Sequence, residues 1–463
     1  MTRVVIIGGG PGGYEAALVG AQLGADVTVV DRDGLGGSAV LTDCVPSKTL
    51  IATAELMTSV EESKQLGVRI PAHPGDLDRA ATVDLAAVNV RVKALASSQS
   101  TYIADKLEAE GVQVVHGTGR LDGPDRVIAS TSSGEQSLDA DAVLIATGAH
   151  PRVLDSARPD GERILTWEQV YDVDKLPDRL IVIGSGVTGA EFASAYNALG
   201  SDVVLISSRD QVLPGEDAQA AAVLQDVFIR RGMTVLSQSR AQSVTRNGDH
   251  VTVTLSDGRT IEGSHCLLAV GSLPNSQELG LTAAKVTTDE AGYITVDRVS
   301  RTTARGVYAA GDCTGVLMLA SVAAMQGRIA MWHALGDAVA PLDLKTVSSN
   351  VFTAPEIATV GWSQQAIDDK EIDATGVMLP LAGNARAKMQ GVHDGFVKVF
   401  CRAGTGIIVG GVVVGPRASE LIHSVALAVE GRLTVENLAH AFTVYPSMSG
   451  SIAEAARRLH TQW

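Results

Sequence analysis

No stretch of this chain reaches the roughly 18 consecutive apolar residues that a membrane-spanning helix needs. Its most apolar run, GIIVGGVVVG (406–415), is only strand length. Basic residues are in deficit, 37 Lys and Arg against 52 Asp and Glu, so the formal charge is −15. A net anion is repelled by nucleic acid and by anionic membrane surfaces, which argues against either as the main partner unless a local basic patch overrides the average. Cysteine is scarce: Cys44, Cys266, Cys313 and Cys401 are far apart and form no CxxC pair. Neither a zinc site nor a disulfide framework is suggested. His116, His150, His423 and His440 have no companion at metal-ligand spacing, so no metal is expected. Aromatics make up 4% and apolar residues 45%, with 48 glycines, a composition neither disordered nor collagen-like. The N-terminus enters a strand pattern at once (RVVIIGGG), leaving no room for a signal peptide; the expected location is the cytoplasm.

With 463 residues the chain is too long for one core and suits two or three domains. An internal repeat organises it. VVIIGGGPGGYEAALVGAQLGADVTVVD (4–31) recurs as LIVIGSGVTGAEFASAYNALGSDVVLIS (180–207), with Gly184, Gly200 and Asp202 each 176 residues after Gly8, Gly24 and Asp26. Each copy reads as a β-branched strand, a glycine turn, a helix with a small-residue face and a second strand. That is the opening βαβ of a dinucleotide-binding fold. Between the copies, Ser47 to Leu107 has helical spacing, and strands return at VQVVHGTGRL and DADAVLIATGAHP. A hairpin-like region follows the second copy, then SHCLLAVGSLPN, TTARGVYAAGDCTG and an apolar helix. From about Val347 the pattern changes to strands and two amphipathic helices, a separate α+β domain.

In the first copy, Gly8, Gly10 and Gly13 form a GxGxxG between strand and helix. The first glycine permits the tight turn, the second admits a pyrophosphate, and the third lets helix and strand pack closely. The helix N-terminus favours the diphosphate. Asp31 ends the second strand, placed to accept from ribose hydroxyls. The second copy repeats the glycines as Gly184, Gly186 and Gly189, but Ser207 stands where Asp31 would recur, followed by Ser208 and Arg209. Loss of the acid removes a repulsion against a 2′-phosphate, which serines and an arginine can bind. NADPH is the favoured donor; NADH is the alternative, with Asp210 as the substitute acid.

Together these residues give the chain a resemblance to the flavoprotein disulfide reductases, the family of lipoamide dehydrogenase, glutathione reductase and mercuric reductase. It runs nearly end to end through seven ordered motifs: both fingerprints, GG…CVPSK (36–48), ATG (146–148), AVGSLPN (269–275), GVYAAGDCTG (306–315) and VFTAPEIATVGW (351–362). The resemblance implies an α/β fold of two Rossmann-like domains and a C-terminal α+β dimerisation domain. FAD would occupy a domain of residues 1–150 and 272–345, NAD(P) an inserted domain of 151–271, and residues 346–463 a homodimer or larger homo-oligomer interface. Gly8, Gly10, Gly13 and Asp31 would hold the adenosine end of FAD, and Gly36 and Gly37 its pyrophosphate. Gly119, Thr147, Gly148 and Gly271 would lie by the cofactors, and Asp312 would bind the ribityl chain. Lys48 would sit near the reactive flavin nitrogen, paired with Glu191, where a cation favours the reduced flavin.

The resemblance breaks at the redox motif. The family's CxxxxC has Ala39 at its first position and only Cys44 at its second. A disulfide needs two sulfurs on β-carbons about 3.5–4.5 Å apart, so none forms here. The family's HPTxSE is replaced by Tyr445-Pro446-Ser447-Met448-Ser449-Gly450, losing both histidine and glutamate. A tyrosine of ordinary pKa near 10 is a poor base at neutral pH. Lipoamide, glutathione and mercuric reduction are therefore not expected. A reduced flavin can instead serve a flat, electron-poor acceptor stacked nearby, and quinones fit. Tyr445 is the candidate acceptor contact, with an inert interface aromatic as the alternative. Three rival activities remain: pyridine-nucleotide transhydrogenase, a Cys44-dependent peroxidase or persulfide reductase, and a non-catalytic flavin sensor.

Overall fold

The computed structural model describes residues 1–68 and 81–460. They fall into two compact units: Met1–Thr49 with Asn89–Arg152 and Gly271–Asp343, and Leu50–Val88 with Val153–Val270 and Leu344–Trp463.

The first unit is built on a five-stranded parallel sheet in the order Val307–Ala309, Ala142–Ile145, Arg3–Ile7, Asp26–Asp31 and Gln113–His116. Four of its strands are apolar on both sides because both faces are covered, while the edge strand Gln113–His116 is mostly exposed. Side chains alternate between faces, so Val4, Ile6 and Val29 join Ala16, Ala17 and Ala330 of the helices Pro11–Gln22 and Ala320–Ala334. Val5, Ile7 and Val30 point the other way and pack with Leu121, Val127 and Ala129. Those three belong to an antiparallel sheet of Thr118–Leu121, Arg126–Thr131 and Gly134–Asp139.

The second unit repeats the parallel design in the order Thr234–Leu236, Asp202–Ile206, Arg179–Ile183, His265–Leu268 and Ile164–Thr166. The expected hairpin region is a three-stranded antiparallel sheet, Ala241–Asn247, His250–Leu255 and Thr260–Gly263. The same unit holds a five-stranded antiparallel sheet with Ile408–Gly415 at its centre, flanked by Glu356–Gly361 and Phe396–Arg402. Helices Ala418–Glu430 and Gly450–Leu459 cover it, burying Ile422, Val425, Ile452 and Leu459.

Two expectations need correction. The C-terminal region carries five α-helices among the described residues, not two. The extra three, Gln364–Asp368, Ala385–Met389 and Val435–His440, are too short to show a helical period. They are marked instead by caps, with Ser363, Asn384 and Thr434 accepting backbone amides. The helical stretch from Ser47 to Leu107 resolves into Cys44–Glu62, a short 3₁₀ turn and Leu85–Ala109, and its residues 69–80 lie outside the described ones. Among the described residues no helix is long and apolar enough to cross a membrane.

Candidate functional site

The strand Arg3–Ile7 delivers the chain into a turn at Gly8, whose φ of +101° suits only glycine and where a Cβ would strike the Ala146 carbonyl. A Cβ on Gly13 would lie inside the Gly8 carbonyl, so strand and helix are in backbone contact there. Gly10 differs, because its nearest neighbour to a Cβ is Ala146 O at 4.0 Å. Its missing side chain leaves open space in front of a helix N-terminus that no side chain caps. A diphosphate needs that combination. Gly36 N donates to Gly9 O at 2.8 Å, and a Cβ on Gly37 would meet Gly10 Cα at 2.8 Å. The second glycine pair thus closes against the first.

Asp31 is buried and accepts from Gly9 N (2.7 Å), Gly34 N (2.6 Å) and Asp33 N (3.1 Å). A carboxylate offers about four acceptor positions, so three are committed to shaping the turn. Opposite, the ATG segment is fixed to Asn275: Thr147 Oγ1 donates to Asn275 O (2.6 Å), and Asn275 N donates to Gly148 O (3.0 Å). A Cβ on Gly148 or Gly271 would meet nothing within 4 Å. Gly119 has a different surrounding: a Cβ there would press on Ile7 at 3.0 Å, so the contact accounting for this glycine is between two sheets.

Asp312 is half-buried, its carboxyl pushed up to about 6 by burial and then by Asp43. Next to it, Gln326, 1% exposed, accepts from Gly311 N at 2.8 Å. Gln326 had no motif to flag it, and its helix also carries Ser321, Arg328 and His333, so no local signal set it apart. Lys48 follows Cys44 by four residues on the helix Cys44–Glu62, so the two share a face. Cys44 is half-buried and Ala39 sits in the helix Gly37–Leu41.

The second unit repeats the cradle closely. Gly184 has a φ of +110°, a Cβ on Gly189 would fall inside the Gly184 carbonyl, and a Cβ on Gly186 would meet nothing within 4 Å. Ser207 is fully buried. Its Oγ accepts from Ser185 Oγ (2.7 Å) and Arg209 N (3.1 Å) and donates to Arg209 O (3.2 Å). Ser208 and Arg209 are exposed beside it, while Asp210 Oδ1 accepts from Gln238 Nε2 at 2.8 Å. Glu191 is 4% exposed and accepts from Phe352 N at 2.8 Å, so it tethers the loop after the strand Ser348–Val351. Tyr445 is 87% exposed at the end of an exposed run, 441–445. Among the described residues no cluster of three His, Cys, Asp or Glu side chains is placed to hold a metal.

Two cradles of this kind in one chain define a protein that holds two dinucleotides. The sequence matches the pyridine nucleotide-disulphide oxidoreductase profile over residues 2–327 and the dimerisation domain of the same family over 347–456; the chain belongs to that family. It is accordingly an FAD-dependent oxidoreductase with NAD(P)H as electron donor. A relative from Mycobacterium tuberculosis H37Rv, named NAD(P)H dehydrogenase (quinone), is 55% identical, with 99% of this chain and 94% of the relative covered. The dihydrolipoyl dehydrogenase of Zymomonas mobilis is 31% identical over 98% of this chain and 96% of its own. The crystal structure of LpdA from M. tuberculosis superposes with a TM-score of 0.94 at 54% identity, covering 99% and 100% of the two chains.

Proposed function

We propose that this chain is an NAD(P)H dehydrogenase that reduces quinones directly, without a cysteine pair. The observation that carries the reading is Ala39, which leaves Cys44 with no sulfur to pair with in its motif. The other cysteines are buried in three separate cores, where burial pushes their thiols up, Cys313 to about 11. The name of the 55% identical relative agrees with this choice of acceptor.

FAD, when bound, supplies the electron carriage between nicotinamide and acceptor. The residues of the chain hold and orient. Gly10 leaves room for the FAD diphosphate, Gly36 and Gly37 close the turn beside it, Asp31 shapes the ribose end, and Asp312 meets the ribityl hydroxyls. The FAD domain comprises 1–150 and 272–345, the NAD(P) domain 151–271 and the dimerisation domain 346–463. Gly186 admits the nicotinamide nucleotide's diphosphate. Ser207 braces the turn, so reading of a 2′-phosphate falls to Ser208 and Arg209, favouring NADPH. Lys48 is assigned to the flavin side of hydride transfer and Glu191 to the nicotinamide side, Glu191 also fixing the backbone at Phe352. Tyr445, with its ring exposed, is the acceptor contact. The protein works as a homodimer in the cytoplasm, the compartment that supplies reduced nicotinamide nucleotides.

Steady-state turnover with NADPH and NADH against a soluble quinone, lipoamide, peroxide and a nucleotide analogue tests the reading. Fast quinone reduction with negligible lipoamide reduction is expected. Rapid lipoamide reduction would overturn it, and dominant nucleotide-to-nucleotide exchange would favour a transhydrogenase.

A further inference from the structure

The strand Phe396–Arg402 runs through the C-terminal core, and in its middle stands a charge: Lys398, whose side chain is 3% exposed. Its Nζ lies 2.6 Å from Asp217 Oδ2, also 3% exposed, with the rings of Phe396 and Phe400 5.4 and 5.9 Å away. Asp217 is the N-cap of the helix Ala218–Arg230, and its Oδ1 accepts from Gln219 N (3.0 Å) and Ala220 N (3.1 Å). One carboxylate therefore fixes the start of that helix with one oxygen and takes a lysine with the other. Buried ion pairs contribute little net stability, since desolvation offsets attraction, and an apolar pair would serve as well. The pair's location suggests what it does instead.

The segment from Ser207 to Asp217 is the turn that leaves the second strand of the nucleotide cradle. Ser207 fastens its start through Ser185 and Arg209. Leu213, buried with a left-handed φ of 49°, donates from N to Ser185 O at 2.8 Å, and Val212 N donates to Gln225 Oε1 at 3.1 Å. A non-glycine residue persists in that conformation only when its surroundings over-determine it. Asp217 is the last fixed point, and Lys398 fixes Asp217. Ser208, Arg209 and Asp210 are exposed between Ser207 and the buried Val212 and Leu213, and Pro214 and Gly215 are exposed between Leu213 and Asp217.

We propose that Lys398 is a positioning residue for the nucleotide-reading turn, acting through Asp217 and never touching the nucleotide. This rests on the reading that Ser208 and Arg209 recognise the donor's 2′-phosphate. Electrostatic contact with Asp217 sets where the turn presents Arg209.

The test compares full-length, FAD-loaded Lys398→Met, Asp217→Asn, the double variant and Arg209→Ala. Asp217→Asn keeps an oxygen for the cap, so it covers the case in which Lys398→Met folds poorly. Each single change at the pair is expected to raise KM for NADPH about tenfold with kcat unchanged, a coupling of ordinary size for a site acting at a distance. The double variant should raise KM no further than either single, because the two residues act as one contact. A purely structural pair would lower the melting temperature and leave KM of the folded protein unchanged. NADPH KM values within about twofold of the parent in both singles, while Arg209→Ala raises it, overturn the positioning role alone. An unchanged KM in Arg209→Ala overturns the turn's reading and this inference with it.

Discussion

Ser185 Oγ donates to Ser207 Oγ at 2.7 Å, in the place that Gly9 N and Asp31 Oδ2 hold, also at 2.7 Å, one repeat earlier. Arg209 N on Ser207 Oγ then corresponds to Asp33 N on Asp31 Oδ1, both at 3.1 Å. The same turn is braced twice, once by a carboxylate and once by a hydroxyl. The hydroxyl version removes the fixed negative charge that would oppose a 2′-phosphate.

Arg209→Ala is therefore expected to raise KM for NADPH by roughly tenfold, the effect of losing one charge-assisted hydrogen bond. KM for NADH should stay within about twofold, since no phosphate is there to lose. Initial-rate kinetics with both nucleotides check this, and equal effects on both would contradict the assignment.

Gly13→Ala and Gly186→Ala separate two meanings of a glycine. A Cβ at Gly13 invades the Gly8 carbonyl, so Gly13→Ala is expected to yield protein without flavin, read from the ratio of flavin to protein absorbance. A Cβ at Gly186 meets no protein atom within 4 Å. Gly186→Ala should keep its flavin and lose no more than about 1 kcal/mol of stability. Its KM for both nucleotides should rise.

Asp312 gives a pH signature. Burial, then Asp43, raises its folded carboxyl to about 6, above the ordinary value of 3.8. Between those values the folded state binds more protons than the unfolded state, so stability falls as pH rises from about 4 to 6 and is flat above. The loss amounts to at most roughly 3 kcal/mol. Urea midpoints of flavin-stripped protein across that range should show the decline, and Asp312→Asn should flatten it.

The glycine fingerprints, the repeat and the parallel sheets were legible because they need particular residues at particular spacings: turn glycines at 8 and 184, β-branched strands, small helix faces. What stayed hidden was decided by distant partners. Lys398 and Asp217 are 181 residues apart, and nothing local marks either as paired. Ser207 was readable as a missing acid, yet its full burial depends on Ser185 and on the return of Arg209. Gln326 reads as an ordinary helix residue until Gly311 is brought to it.

Ala39→Cys restores both sulfurs of the motif. It is expected to bring a disulfide detectable by thiol titration. Lipoamide reduction should remain negligible, because Tyr445 and Gly450 still stand where a histidine and a glutamate would manage the thiol protons. Substantial lipoamide turnover in this single variant would show that the C-terminal replacements matter less than argued.

Anaerobic titration with dithionite, counting electrons per FAD, tests the central claim most directly. Complete reduction at two electrons per flavin, with no long-wavelength charge-transfer band on the way, is the predicted result. Uptake of four electrons, with such a band at the midpoint, would mean that a sulfur couple takes part and would contradict direct transfer to the acceptor.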